Sequence, residues 1–310
     1  MDKNIWIYDI ETLKNFFSYV AKNRDTGEIV KFVIWEKKNQ IKELLAHLKI
    51  CRGQVGFNNI NFDYPVLHYI LLNQKPMLSS NGDRIARAIY KKAQETIQAE
   101  YSAIKEDEWY IHQLDLFRIW HYNNKARMTS LKKLEINMNF PNVQDMPYAH
   151  TEEIKTEEQA EEILAYNVND VEATTVFYEK TKDKINLRKG LIKRYGLNCI
   201  NYPDSKIGED LMLKLYCEAT NKSEQQVKRL RTYRKSFKFN DCIPEYIKFE
   251  TEEFQGLLEY IKSIEVEELK NSFKYSFEYG DVTLEYGTGG LHFSCKPDVF
   301  ISDENVTLVD

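Results

Sequence analysis

Three apolar runs stand close together near the start of the chain: "NIWIYDI", "FFSYVAKN" and "EIVKFVIW". The spacing is too short for helices between them. Asp25-Thr26-Gly27 supplies turn chemistry between the second and third. From there the pattern alternates. "NQIKELLAHLKI" has helical spacing with Asn39 as its expected cap, "GQVGFN" reads as a short strand, and "FDYPVLHYILLN" as a helix. Residues 83–105 read as a polar helix, "WYIHQLDLF" as a strand and "TSLKKLEINM" as a short helix. Thr156 and Gln159 form a capping box that opens a helix expected to run to about Lys182. A meander followed by strand–helix alternation predicts an α/β fold. Its sheet is mixed and flanked by helices, not doubly wound and parallel.

The character changes near residue 186, and a domain boundary is expected there. Residues 1–185 would form the α/β domain and 186–310 a smaller α+β region. That second part starts helix–loop–helix and ends β-rich, with a turn at Gly287-Thr288-Gly289-Gly290. A chain of 310 residues accommodates two domains. No stretch approaches the roughly 20 apolar residues that cross a bilayer, so no membrane partner is expected. The acidic pair near the N-terminus does not fit a signal peptide. Five scattered cysteines without a CxxC argue against a zinc ribbon or a disulfide framework and fit a cytoplasmic setting. The net charge of −5 does not point to nucleic acid, but the charges are segregated. "TEEIKTEEQAEE" (151–162) is acidic. "VKRLRTYRKSFK" (227–238) carries six cations with Tyr233 and Phe237 between them, a pattern that suits a polyanion as well as a solvated helix face.

Carboxylates punctuate the first half. Asp9 and Glu11 end the first apolar run and, two apart on a strand, share one face. Such a pair marks either a strand end at the surface or a site. Asp63 opens a helix, where the dipole alone would favour it. Tyr166 and Asp170 are four apart on a helix, in line with Ile163 and Thr174. Asp170 there either faces water or joins the site.

Taken together these segments resemble the DEDD exonuclease superfamily, in the subgroup with tyrosine in its third motif. The first motif, Asp-x-Glu, is Asp9-Ile10-Glu11. The second, Asn-x-x-Phe-Asp, runs from Asn59 to Phe62-Asp63, and the third, Tyr-x-x-x-Asp, from Tyr166 to Asp170. The nearest likeness is to the proofreading domain of phage-type family B DNA polymerases. It covers residues 1–185 strongly and the rest more loosely. It implies a ribonuclease-H-like fold and a 3′–5′ exonuclease that releases nucleoside monophosphates from single-stranded or frayed DNA. The expected partner is the primer 3′ terminus, and the expected origin a phage or bacterium.

The residue types suit that chemistry. Phosphodiester hydrolysis needs an activated water and stabilisation of the leaving oxyanion, which two cations about 4 Å apart supply. Four acids with no histidine or cysteine in the motifs favour two Mg2+ or Mn2+ ions over zinc. By resemblance Asp9, Glu11 and Asp170 would hold one ion, Asp9 would bridge to the second, and Asp63 would act on the second through water. Tyr166 would orient the attacking water rather than act as a base, since a phenol titrates near 10. Thr12, Asn59 and Phe62 would contact the terminal nucleotides. "TSLKKLE" resembles the family's Ser/Thr-Leu motif, which makes Ser130 and Leu131 strand contacts and Lys132 or Lys133 a phosphate contact. An ordinary amphipathic helix is the other reading of that stretch. Asp115 is a further acid at a strand end with no assigned role.

"YGTGGLH" resembles the Tyr-x-Gly-Gly loop between the exonuclease and polymerase halves of family B, with Tyr286 one residue further out than in the family pattern. "ENVTLVD" resembles the strand that leads into the first polymerase motif, with Asp310 near its metal-binding aspartate. No later polymerase motif follows, so the chain is expected to be the N-terminal portion of such a polymerase, unable to extend a primer. Two other functions remain: a stand-alone RNA-trimming exonuclease of the same superfamily, or a non-catalytic single-strand-binding module.

Overall fold

The computed structural model describes residues 4–99, 104–121, 129–230 and 235–267, and the backbone of five further strands between 274 and 309. They fall into two compact units, Met1–Glu224 and Gln225–Asp310.

In the first unit β1 (Ile5–Leu13), β2 (Phe16–Asn23) and β3 (Ile29–Trp35) form the antiparallel meander that the sequence predicts. Gly27 turns the β2–β3 connection with φ +73°, a conformation open to glycine at little cost. A two-residue β4 (Lys38–Asn39) pairs with β3. On the other side of β1, β5 (Gly53–Gly56) and then β6 (His112–Asp115) add in parallel. The result is a six-stranded mixed sheet in the order β4-β3-β2-β1-β5-β6.

Helices cover both faces. Trp6, Tyr8 and Ile10 of β1 join one core with residues of α1 (Ile41–Ile50), α2 (Asp63–Leu72) and α4 (Gly82–Gln98), with the short α3 (Gln74–Leu78) between the last two. The N-cap of α1 is Gln40 rather than Asn39. Gln40 Oε1 accepts from the Val33 amide at 3.0 Å, while Asn39 Oδ1 accepts from Ile41 at 3.3 Å. The opposite face carries α5 (Leu116–His121), α6 (Leu131–Asn137) and the long α7 (Glu157–Tyr195).

Two further sequence expectations need correction. The strand around "WYIHQLDLF" is only four residues long. Asp115 Oδ1 accepts from the amides of Phe117 at 2.9 Å and Arg118 at 3.4 Å, which turns the chain directly into α5. Helix α7 does not end near Lys182. Its capping box forms as expected, but it continues to a left-handed Gly196, φ +64°, so residue 186 lies inside a continuous helix. Arg188 on its last turns is fully buried. It donates to Tyr202 O at 2.9 and 2.6 Å, to Lys184 O at 2.9 Å and to Asp204 Oδ1 at 2.8 Å. These bonds fold the chain back, and Asn201 then lines the outer edge of β6. It receives the Asp115 amide at 2.8 Å and donates to Gln113 O at 3.0 Å. Helix α8 (Asp204–Thr220) follows within the same unit. The compact unit therefore extends well past the expected boundary.

The second unit begins within α9 (Glu224–Lys228). Its strands β7 (Ser236–Lys238) and β8 (Glu265–Glu267) pair antiparallel beside α10 (Glu252–Ser263), over buried Phe239, Leu257, Leu258 and Ile261. Strands β9 (Lys274–Tyr279), β10 (Val282–Gly287) and β11 (Gly290–Cys295) form an antiparallel sheet, and β12 (Asp298–Ile301) pairs with β13 (Val306–Val309). Residues 231–234 of the basic run, Thr288 and Gly289 of the glycine turn, and Asp310 lie outside the described residues. Among the described residues no helix is long and apolar enough to cross a membrane, and Cys51, Cys199, Cys217 and Cys242 are unpaired.

Candidate metal centre

The period of β1 puts Ile7, Asp9, Glu11 and Leu13 on the face beneath α7. Ile7 belongs to one apolar cluster there, with Phe177 and Ile185 of α7. Leu13 belongs to another, with Phe16, Val33, Trp35 and Ile163. Along α7, Ile163, Asp170 and Phe177 recur every seven residues and lie on one stripe. Asp9, Glu11 and Asp170 therefore meet in a polar gap between two hydrophobic clusters. They offer oxygens that all lie within 4.8 Å of one another. Across the ladder from Glu11, Ser18 Oγ accepts from Asn167 Nδ2 at 3.2 Å, which fixes α7 over the site.

Asp63 arrives from the other side. The β1–β5 pairing stops at Ile7 and Val55, so the rest of β1 is unpartnered along that edge. The loop after β5 crosses there, and the Asp63 carboxylate accepts the Ile10 amide. Gly56 is required at the start of this loop, because a Cβ on it would come within 2.7 Å of Asn59 Cβ. The site thus lies outside the carboxyl ends of the parallel strands, the usual place for ligands in such sheets.

Its electrostatics are lopsided. Burial and then the charges of Asp63, Glu11 and Asp170 push the Asp9 carboxyl well up. Glu11 is pushed up by burial, Asp170 and Asp63. Burial raises Asp63 and Asp170 to about 7 each. The charges acting on Asp9 and Glu11 are all carboxylates. Asp9 Oδ2 is buried with no hydrogen-bond partner. An orphaned oxygen among converging acids fits a bound cation, which would relieve both the desolvation and the repulsion. All-oxygen donors are those of a hard ion. Tyr166, one turn before Asp170, is partly buried, and its hydroxyl bonds the Asp170 side chain. Burial and the surrounding carboxylates hold that phenol above its ordinary value, so it stays protonated.

The predicted substrate residues separate into groups. Thr12 and Phe62 line one cleft of about 520 Å³, beside Glu11 and Asp63 in sequence, with Asn58, Asn61, Ile97 and His150. Asn59 is instead fully buried, its amide 2.8 Å from Gln113 Oε1 in a network that includes the Tyr8 hydroxyl. Ser130 caps α6, its Oγ accepting from the Lys133 amide at 3.2 Å. Leu131 is partly buried, the Lys132 ammonium pairs with Asp145, and Lys133 is exposed.

Asp115 gains a role. It is fully buried at the end of β6 and accepts from the amides of Asn58 at 2.9 Å and Ile60 at 3.3 Å as well as those opening α5. It clamps the loop that delivers Asp63. Burial raises it to about 6. Glu135, assigned no role from the sequence, is buried in α6 with an unpartnered Oε1. Its signal was a carboxylate at an apolar position next to Leu134. No protein-family model matches the chain, and no curated protein shows significant similarity to it.

Proposed function

We propose that the chain is a 3′–5′ exonuclease of the tyrosine-type DEDD superfamily, with a ribonuclease-H-like first unit, of the kind that proofreads for a family B DNA polymerase. The observation that carries this reading is the convergence of Asp9, Glu11 and Asp170 on one point, with Asp63 reaching the same place from a separate element. In this reading Asp9, Glu11 and Asp170 would hold one Mg2+ or Mn2+ ion, and Asp9 and Asp63 would serve a second. Bound there, such cations supply an activated water and charge stabilisation for the leaving 3′-oxygen.

The protein's own groups do the rest. Tyr166 keeps its proton, so its hydroxyl orients the water by hydrogen bonding and does not abstract a proton. The cleft lined by Thr12 and Phe62 takes the terminal nucleotides, with the Phe62 ring stacking on any base. Ser130 and the α6 lysines stand as further strand contacts. A reducing, cytoplasmic setting goes with this reading.

The test is 5′-labelled single-stranded DNA incubated with Mg2+, Mn2+ or chelator. The expected result is a ladder shortening from the 3′ end with either metal and none with chelator. Asp9→Ala with Glu11→Ala abolishes cleavage and spares single-strand binding. Undiminished cleavage by that double variant would overturn the proposed site. An RNA oligonucleotide of the same sequence degraded faster than the DNA would shift the assignment to RNA trimming. Metal-independent binding without cleavage would make the chain a binding module.

A further inference from the structure

A second cavity, of about 820 Å³, shares helices α2 and α4 with the cleft that holds Phe62. On α2, Pro65, Tyr69 and Leu72 line it. They are four and three apart, on one side of the helix whose N-cap is Phe62. On α4, Lys92 lines it, while Thr96 and Ile97 line the first cleft about one turn further on. The two hollows are therefore neighbours along both helices. With a rise of about 1.5 Å per residue, Tyr69 lies about 9 Å along α2 from Asp63.

The wall of this cavity is aromatic and anchored. The rings of Tyr110, His68, Tyr64 and Trp109 form a row with centroids 5.2, 5.7 and 5.9 Å apart. The Tyr64 hydroxyl accepts the Tyr110 amide at 2.8 Å, which fixes the chain under the Tyr110 ring. Tyr110 itself is 64 % exposed, so its ring is open to a ligand. Two ring nitrogens of the cavity residues have no hydrogen-bond partner: His68 Nδ1, on a residue 8 % exposed, and Trp109 Nε1. Buried polar groups left in this way are rare and call for a partner from outside the chain. Lys92, Asp107 and Glu108 bring charges of both signs to the cavity, which selects neither a strong anion nor a strong cation. An uncharged planar ring with donors and acceptors along its edge fits these walls. Its face stacks on Tyr110, and its edge offers partners to the orphaned nitrogens. A nucleobase is such a ring. Resting on the reading of the chain as a single-strand exonuclease, we propose that this cavity is a second base-binding subsite on the strand path. It takes a base upstream of the terminal nucleotides held by Thr12 and Phe62.

The experiment uses the whole chain in chelator and reads binding by fluorescence anisotropy. The probes are a labelled thymidylate dinucleotide and a labelled oligothymidylate long enough to leave the first cleft, with free thymidine monophosphate as competitor. Tyr110→Ala is expected to weaken the longer strand at least about fivefold, the loss of one stacked base, and to leave the dinucleotide at its parent affinity. Tyr110→Phe keeps the ring and is expected to bind the longer strand like the parent. Phe62→Ala is expected to weaken both lengths. Parent-like affinity of Tyr110→Ala for the longer strand overturns the subsite. So does an equal loss for both lengths, which would place Tyr110 at the terminal nucleotide. Free thymidine monophosphate that competes as well as the longer strand, through a site lost in Tyr110→Ala, would make the cavity a mononucleotide site and overturn the strand path. Should Tyr110→Ala fail to fold in thermal scans, Tyr110→Leu, which keeps bulk without the ring, decides in its place. A parent chain that binds neither length would defeat the single-strand reading itself, and the subsite with it.

Discussion

Asp63→Asn should make the metal-free protein more stable while removing its activity, and the gain should grow with pH. Asp63 is 5 % exposed, and burial moves it from an ordinary 3.8 to about 7. Below pH 3.8 the folded and unfolded chains both carry the proton, and the carboxyl costs nothing. Above that the unfolded chain ionises first while the folded one keeps its proton. Stability therefore falls by 1.36 kcal/mol per pH unit until about pH 7, and is level beyond. The full cost at pH 8 is about 4 kcal/mol, and at pH 5 less than half of that. Asparagine escapes it and can still accept the Ile10 amide through Oδ1. The weaker neutral acceptor and the lost charge at the α2 N-terminus return about 1 kcal/mol. A net gain of about 3 kcal/mol at pH 8 corresponds to about 6–12 °C in Tm for a unit of this size, against about 2 °C at pH 5. Thermal unfolding in chelator at the two pH values measures this. An equal gain at both, or a loss at pH 8, would refute the account of Asp63 as a buried acid charged at the expense of stability.

Mg2+ or Mn2+ should raise the Tm of the parent chain more at pH 8 than at pH 5, because protons and cations compete for Asp9, Glu11, Asp63 and Asp170; a pH-independent rise in thermal scans would contradict this. Asp115→Ala leaves the buried amides around Asn58, Ile60 and Phe117 without an acceptor. It should cost at least about 3 kcal/mol in urea unfolding, with Asp115→Asn recovering part of the loss. Phe62→Ala should weaken binding of a short single-stranded oligonucleotide by about tenfold, read by fluorescence anisotropy in chelator; unchanged anisotropy would remove Phe62 from the strand path.

The sheet was legible because it rests on local periodicity, and so were the acid pairs as pairs; that they and Asp63 serve one site followed from the family resemblance. Asp9 and Glu11 share a face by strand spacing, Tyr166 and Asp170 by helix spacing, and the meander by its turn residues. What was missed depends on partners far away in sequence. Asn59, expected as a substrate contact, is buried against Gln113, 54 positions on. Asp115 is an acid whose burial is set by tertiary packing, and nothing in its neighbours' identity announces it. The boundary near 186 was drawn where the strand–helix alternation gives way to a helix–loop–helix pattern. Arg188 looks there like a solvated surface residue, yet its fork of hydrogen bonds to Tyr202 O and Asp204 Oδ1 is what holds the following segment in the first unit.

The bond pair between Asn201 and the outer rim of β6 has a practical consequence for anyone shortening this protein. A chain ended at 186 would lose the cover on that strand, baring its amides and carbonyls as a template on which a second molecule could add. Such a fragment would aggregate even with every acidic side chain of the centre in place. Ending it after residue 224 keeps the rim sealed.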